Sequence, residues 1–258
     1  MSLTVASGPF GRTPAGRLNG TLETPGGFIL WDPVPHRVRA RFAGRTVVDT
    51  RGAVLLHETN HLPVYYVPEA DLDHDLLVPT ETRTFCPIKG DCSYRSIRVG
   101  DRVATDAVWA YRAPIPSAPF LAGYAALVWD ALDEWLVEDE QVHGHPRDPY
   151  HRIDVYPTST HVRVLLDGEV LADSRRARVL YETSLPPRYY LPIEDVRVDL
   201  LEPSPTRTRC AYKGEASYWH ARVGGRLVDD LVWSYPEPDL DAQPVRGLLC
   251  FLAERVDV

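Results

Sequence analysis

An internal duplication constrains this chain more than any other feature. Thr84-Phe-Cys-Pro-Ile-Lys-Gly-Asp-Cys-Ser-Tyr94 returns as Thr208-Arg-Cys-Ala-Tyr-Lys-Gly-Glu-Ala-Ser-Tyr218, a shift of 208 − 84 = 124 positions. The shift holds without a gap from Gly44/Gly168 to Tyr111/Tyr235, and roughly 30 of those 68 paired positions are identical. The chain must therefore build one unit twice. The two copies also act as a filter, because a polar residue kept by both is a candidate for a shared role.

Within each copy the periodicity is that of short strands. Val38–Phe42, an Ala-Gly turn and Arg45–Asp49 are echoed by His161–Leu166, Asp167-Gly168 and Glu169–Asp173. Asp-Gly between two alternating runs signals a two-residue hairpin, since such turns need positive φ. Val54–Glu58 and Arg178–Glu182 read as further strands. Pro63–Pro68 and Pro187–Pro192, each bounded by prolines, read as short edge strands because proline cannot donate to a ladder. Ser93–Val99, a Gly-Asp turn and Arg102–Tyr111 complete the first unit, with Gly224-Gly225 at the matching turn of the second. About six or seven short strands per unit, joined by turn signals, define an antiparallel all-β domain. One segment departs from this: Asp130–Glu140 places Trp129, Leu132, Trp135 and Leu136 on one helical face with acids opposite, which predicts an α-helix over about 130–140.

The expected organisation is a flexible lead-in over residues 1–27, a first repeat over 28–140, a Pro- and His-rich linker over 141–156 and a second repeat over 157–258. The lead-in lacks the apolar core of a signal peptide, and no apolar run is long enough to span a membrane. A net charge of −8 and the lack of a basic patch argue against nucleic-acid binding. The four cysteines form no CxxC pair and read as reduced thiols of a cytoplasmic protein.

The residues kept by both copies supply the candidate site. Glu58, Tyr65, Cys86, Lys89, Tyr94 and Trp109 recur as Glu182, Tyr189, Cys210, Lys213, Tyr218 and Trp233. A carboxylate, a lysine and several aromatics can wall a concave pocket with one polar anchor. The same aromatics also suit an ordinary β-core, and the Glu and Lys an internal salt bridge. Cys86 and Cys210, each three residues before a lysine, offer a thiol with a nearby cation, although free cysteines more often pack in cores. Arg51/Arg175, Asp49/Asp173 and Asp106/Asp230 are matched as well, and read as structural pairs. His57-x3-His61 and His143-x-His145 lack the third and fourth ligands of a zinc site, and Asp71-x-Asp73-x-Asp75 lacks the Gly and distal Glu of an EF-hand, so no metal and no cofactor are expected. There is no GxxxxGK[ST], GxGxxG, GxSxG or HExxH.

These residues together resemble the tandem form of the family catalogued as domain of unknown function 427. The resemblance rests on the Asp-Gly hairpin with Ala172-Asp-Ser174, on Glu58 and Glu182, on Tyr65-Tyr-Val-Pro68 and Tyr189-Tyr-Leu-Pro192, and on Cys-x-x-Lys-Gly-x-x-Ser-Tyr in both units. Ala107-Val-Trp109, Trp135–Glu140 and His145-Pro-Arg-Asp-Pro149 extend it, from about Phe28 to Val258. It implies a β-tent, in which two small antiparallel sheets meet at an angle. Relatives of that fold, methionine sulfoxide reductase B and the cereblon ligand-binding domain, hold zinc through two CxxC-like pairs that this chain lacks. The family also carries a nucleotidyltransferase label, for which no phosphate loop or paired metal carboxylates are present here. Two readings of function follow: a non-catalytic module that binds a small molecule in two related pockets, and an enzyme using a Cys-x-x-Lys thiol. The duplication further implies either a monomer with pseudo-twofold repeats or a homodimer.

Overall fold

The computed structural model describes residues 3–16, 19 and 27–258. It divides into two compact units, Met1–Asp148 and Pro149–Val258. Both are mainly antiparallel β, as the repeated short strands predict. The first unit contains β1 (Ile29–Pro33), β2 (Val38–Phe42), β3 (Arg45–Thr50), β4 (Val54–Glu58), β5 (Val64–Pro68), β6 (Leu77–Cys86), β7 (Gly90–Val99), β8 (Arg102–Ala110), β9 (Tyr124–Leu127), β10 (Glu134–Val137) and β11 (Glu140–Val142). The second contains β12 (Ile153–Pro157), β13 (Val162–Leu166), β14 (Glu169–Ser174), β15 (Arg178–Glu182), β16 (Arg188–Leu191), β17 (Leu201–Cys210), β18 (Gly214–Val223), β19 (Arg226–Ser234) and β20 (Leu249–Phe251).

Each unit has one seven-stranded sheet, ordered β1-β4-β5-β9-β8-β7-β6 in the first and β12-β15-β16-β20-β19-β18-β17 in the second. The register repeats too: Ile29 lies opposite Glu58 as Ile153 lies opposite Glu182. A smaller sheet accompanies each, β11-β10-β2-β3 in the first unit and β13-β14 in the second. The small hairpins turn at Ala43-Gly44 and Asp167-Gly168, whose φ values of 48°, 75°, 52° and 83° are those that two-residue hairpins demand.

Successive strand residues point to opposite faces, so the seven-stranded sheet packs on both sides. Leu55, Tyr65 and Val67 join the main core beneath the small sheet with Val38, Val48, Ile97 and Trp135. Leu56 and Tyr66 point the other way, into a second cluster with Cys92, Tyr111, Leu121 and Ala126. The second unit divides in the same manner, Leu191 and Phe251 going to one core and Leu180, Tyr190 and Tyr235 to the other. Each fully buried aliphatic or aromatic side chain contributes roughly 1.5–3 kcal/mol, and both faces of the sheet collect it.

Two expectations need correction. The segment over 130–140 is not an α-helix: Trp129–Ala131 forms a 3-10 turn, and β10 and β11 form a hairpin through Glu138, which has φ of 49°. Strand β10 pairs with β2, setting Trp135 opposite Ala40, and the ladder that β2 would otherwise leave open outweighs helical periodicity. The second unit closes the same edge with much less, a single bridge between Leu165 and Asp257. The Pro-flanked strands are not edges either, because β5 lies between β4 and β9 and β16 between β15 and β20. Their prolines stand at or just beyond the strand ends, where no ladder donor is required.

Of the lead-in, residues 1, 2, 17, 18 and 20–26 lie outside the described residues. Within residues 3–16, Phe10 stacks on Phe28 with ring centroids 4.4 Å apart, and the Asn60 N–H donates to the Thr4 carbonyl at 2.7 Å. Among the described residues no helix is long and apolar enough to cross a membrane.

Candidate functional site

The outer face of each seven-stranded sheet holds a pocket, of about 330 Å³ in the first unit and about 290 Å³ in the second. Seven lining positions recur at the 124-residue shift: Leu56/Leu180, Glu58/Glu182, His61/Leu185, Val64/Arg188, Tyr66/Tyr190, Lys89/Lys213 and Trp109/Trp233. A preserved concavity is more informative than a preserved residue, because it requires all the elements around it to be preserved together.

The lysine is placed by the turn after β6. The Lys89 N–H donates to the Cys86 carbonyl at 3.2 Å, and the Lys89 carbonyl accepts from the Ile115 N–H at 3.1 Å. Gly90 follows with φ of 105°, and a Cβ there would lie 3.3 Å from the Ile115 backbone nitrogen. Gly214 repeats this with φ of 94° and the Asp239 nitrogen 3.1 Å away, which explains why both copies carry Lys-Gly. Glu58 and Glu182 end β4 and β15, one strand in from the edge.

Lysine and carboxylate meet in both pockets. Lys89 Nζ donates to Glu58 Oε2 at 2.5 Å, with the two side chains 11% and 15% exposed, and Lys89 Nζ also stands 5.4 Å from the centre of the Tyr111 ring. Lys213 Nζ donates to Glu182 Oε2 in the same way. Glu182 has a further partner, His151, whose Nε2 lies 3.1 Å from Oε1 and whose ring stacks on Tyr212 at 4.0 Å. Burial pushes the Glu182 carboxyl up, but hydrogen bonds and charge from His151 and Lys213 outweigh it and bring its pKa down to about 2.

The aromatic wall is equally repeated. Trp109 donates its indole N–H to the Tyr66 hydroxyl at 3.3 Å, and Trp233 donates to Tyr190 at 3.2 Å, both as edge-on pairs with centroids 6.4 Å apart. Burial raises the pKa of both phenols, so they stay protonated hydrogen-bonding groups. In the second pocket the Arg188 guanidinium lies 5.7 Å from the Trp233 ring centre and is paired with Glu254 at 2.6 Å.

The pockets gather Glu58, Cys86, Lys89 and Trp109 in one unit, and Glu182, Lys213, Tyr218 and Trp233 in the other. Tyr94 packs in the same outer cluster and shares a hydrogen bond with Thr84 at 2.9 Å. Cys210 packs beside its pocket without lining it. Tyr65 and Tyr189 lie on the opposite face, Tyr65 in the main core against Trp135 and Tyr189 packed against the core of the second unit. Their neighbours Tyr66 and Tyr190 are the pocket tyrosines. The signal for that choice was present: Leu56, Glu58, Val64 and Tyr66 share one parity along β4 and β5, hence one face.

His57 and His61 are separated. His57 is fully buried between Asp32 and Asp148, with N···O distances of 3.8 and 3.7 Å, and burial lowers its pKa. His61 lines the first pocket. Asp106 and Asp230 sit at bulges with φ of 51° and 49°. Asp106 accepts from Thr80 and Thr82 and Asp230 from Thr206.

Fold and site thus define a tandem antiparallel β protein with a matched aromatic and ion-pair pocket in each unit. The chain belongs to the family described as Domain of unknown function (DUF427), whose model matches residues 31–138 and 154–258, once in each unit. No curated protein matches the chain.

Proposed function

We propose that this protein is a non-catalytic binding module that holds small molecules in its two related pockets. One observation carries the reading: the same seven positions line a pocket of similar volume in both units, including the Glu-Lys pair and the Tyr-Trp pair. Core packing alone would preserve the apolar residues, whereas a nearly buried ion pair is costly to maintain and often replaceable by apolar residues without loss of stability. Aromatic walls with one polar anchor are the usual make-up of a small-molecule site. Each lysine is committed to a carboxylate, which leaves it a poor activator for a thiol.

The test is a fragment screen against the full chain, observed through the indole N–H signals of Trp109 and Trp233. Ligands that shift either signal saturably, and lose that effect in Glu58→Gln or Glu182→Gln, support the reading. A chemically broad screen that moves neither signal overturns it.

A second reading, thiol chemistry in the first unit, draws on Cys86 and His61 lining the same pocket. The second unit has Leu185 in place of His61, so this reading applies to one pocket alone.

A further inference from the structure

The two pockets differ at the one carboxylate they share. In the second unit both Glu182 oxygens are occupied, Oε2 by Lys213 and Oε1 by His151. In the first unit Glu58 Oε2 takes Lys89, and among the described residues Oε1 has no hydrogen-bond partner. The reason lies in the sequence. His151 stands two residues before Ile153, which faces Glu182, and the residue two before Ile29, which faces Glu58, is Gly27. The aromatic that supports the His151 ring, Tyr212, is Ile88 in the first unit. The second unit thus supplies its own flat N–H donor to the carboxylate, and at the matching positions the first carries Gly27 and Ile88.

Lys89 completes the picture. Its ammonium gives one proton to Glu58 and lies against the Tyr111 ring, and among the described residues this leaves N–H capacity unused. The first pocket is therefore lined by an acceptor, Glu58 Oε1, on the residue that pairs with a donor, Lys89 Nζ, and by the side chains of Tyr66 and Trp109. The charges of the pair cancel, so nothing in it calls for a charged ligand.

We infer that the first pocket selects a flat, uncharged ligand carrying an N–H beside a C=O, the edge of a lactam or pyrimidinone, with the N–H on Glu58 and the carbonyl on Lys89. The second pocket, with its acceptor filled by His151, does not discriminate for the N–H. This inference rests on the binding-module reading and names the ligand class of the first site. A missing donor leaves a partly desolvated carboxylate oxygen unpaired, and such mismatches discriminate more sharply than extra apolar contact.

The experiment compares 2-pyridone with N-methyl-2-pyridone, two flat amides that differ only at the N–H position. Each is titrated into the full-length 15N-labelled protein, with the Trp109 and Trp233 indole signals assigned through Trp109→Phe and Trp233→Phe. At Trp109 the N-methyl compound should bind weaker by about tenfold or more, the worth of one hydrogen bond to a charged group. At Trp233 the two compounds should bind alike. His151→Phe keeps a ring on Tyr212 but removes the donor, and should create discrimination at Trp233. Equal affinities at Trp109 overturn this inference while leaving the binding-module reading standing. No shift of either indole by either compound overturns the inference along with the use of these pockets for small amides.

Discussion

Trp109 reaches across the intervening strand β9 to donate its indole N–H to the Tyr66 hydroxyl, and Trp233 makes the same bond to Tyr190 one repeat later. Both tyrosines are almost fully buried, 1% exposed each, so the bond is shielded from water. Tyr66→Phe and Tyr190→Phe should each cost about 1–3 kcal/mol, because the indole donor is left without its partner. Tyr→Ala at either site should cost about 3–5 kcal/mol through the cavity it opens. Urea unfolding of the full chain measures both. A Phe variant as damaging as the Ala variant would mean that the hydroxyl, and not the ring, holds the wall together.

The Glu58–Lys89 pair is nearly buried, so breaking it differs from replacing it. Lys89→Met alone should destabilise by about 3–5 kcal/mol, since it strands a carboxylate in a poorly solvated site. The double variant Glu58→Leu/Lys89→Met should recover most of that loss while removing the polar anchor. A double-mutant cycle followed by chemical denaturation checks this. Little recovery in the double variant would show that the pair is part of the structural framework and would weaken the functional argument drawn from it.

How much of this was legible follows from what each residue answers to. The duplication, the hairpin turns and the pairing of Glu with Lys were readable because each depends on local spacing or on retention in both copies. Tyr66 was readable in principle from strand parity, yet Tyr65 and Tyr66 are both retained, and retention alone does not tell a sheet's faces apart. The place of Trp135 was not readable, because the helical spacing of Trp129, Leu132 and Leu136 competes with a strand partner, β2, that lies about 95 residues earlier in the chain. His151 was hidden for the opposite reason. It has no counterpart in the first copy, and comparing the copies finds only what they share.

Glu182 links the second pocket to pH. Its folded pKa of about 2 lies below the ordinary value of 4.5, so the ionised carboxylate is favoured by folding. The stability it contributes is fully present above about pH 4.5 and is lost as pH falls toward 2, an effect on the order of 2–3 kcal/mol. Urea midpoints should therefore fall across that window, and Glu182→Gln should flatten the slope there. An unchanged slope in Glu182→Gln would assign the acid sensitivity to other carboxylates.

The four thiols should separate by position. Cys92 and Cys250 are each 1% exposed, and burial raises the pKa of both, so neither is accessible or readily ionised. Cys86 and Cys210 are half-buried, and Cys86 lines the first pocket. Under native conditions a small alkylating reagent should modify Cys86 and Cys210 first, and reach Cys92 and Cys250 only on unfolding, as intact mass and peptide mapping will show. If labelling of Cys86 slows more than about tenfold in His61→Ala, well beyond the change expected from access alone, the thiol reading gains over the binding-module reading.

The hairpin that replaces the expected helix has its own spectroscopic mark. Trp129 and Trp135 stack with centroids 4.6 Å apart and planes inclined by 2°, and the Trp135 indole donates to the Trp129 carbonyl at 3.1 Å. Two indoles this close couple their electronic transitions, which should appear as a paired positive and negative band in the circular dichroism of the native protein. On a helix the two indoles would stand at opposite margins of the apolar face, about 9 Å apart along the axis, and would not stack in this way. Trp129→Phe should abolish the band with a modest loss of stability. Trp135→Ala should abolish it and cost about 3–5 kcal/mol, because Trp135 also fills the main core beneath Tyr65. A native spectrum unchanged by Trp129→Phe would refute the stacked arrangement and reopen the helical assignment of residues 130–140.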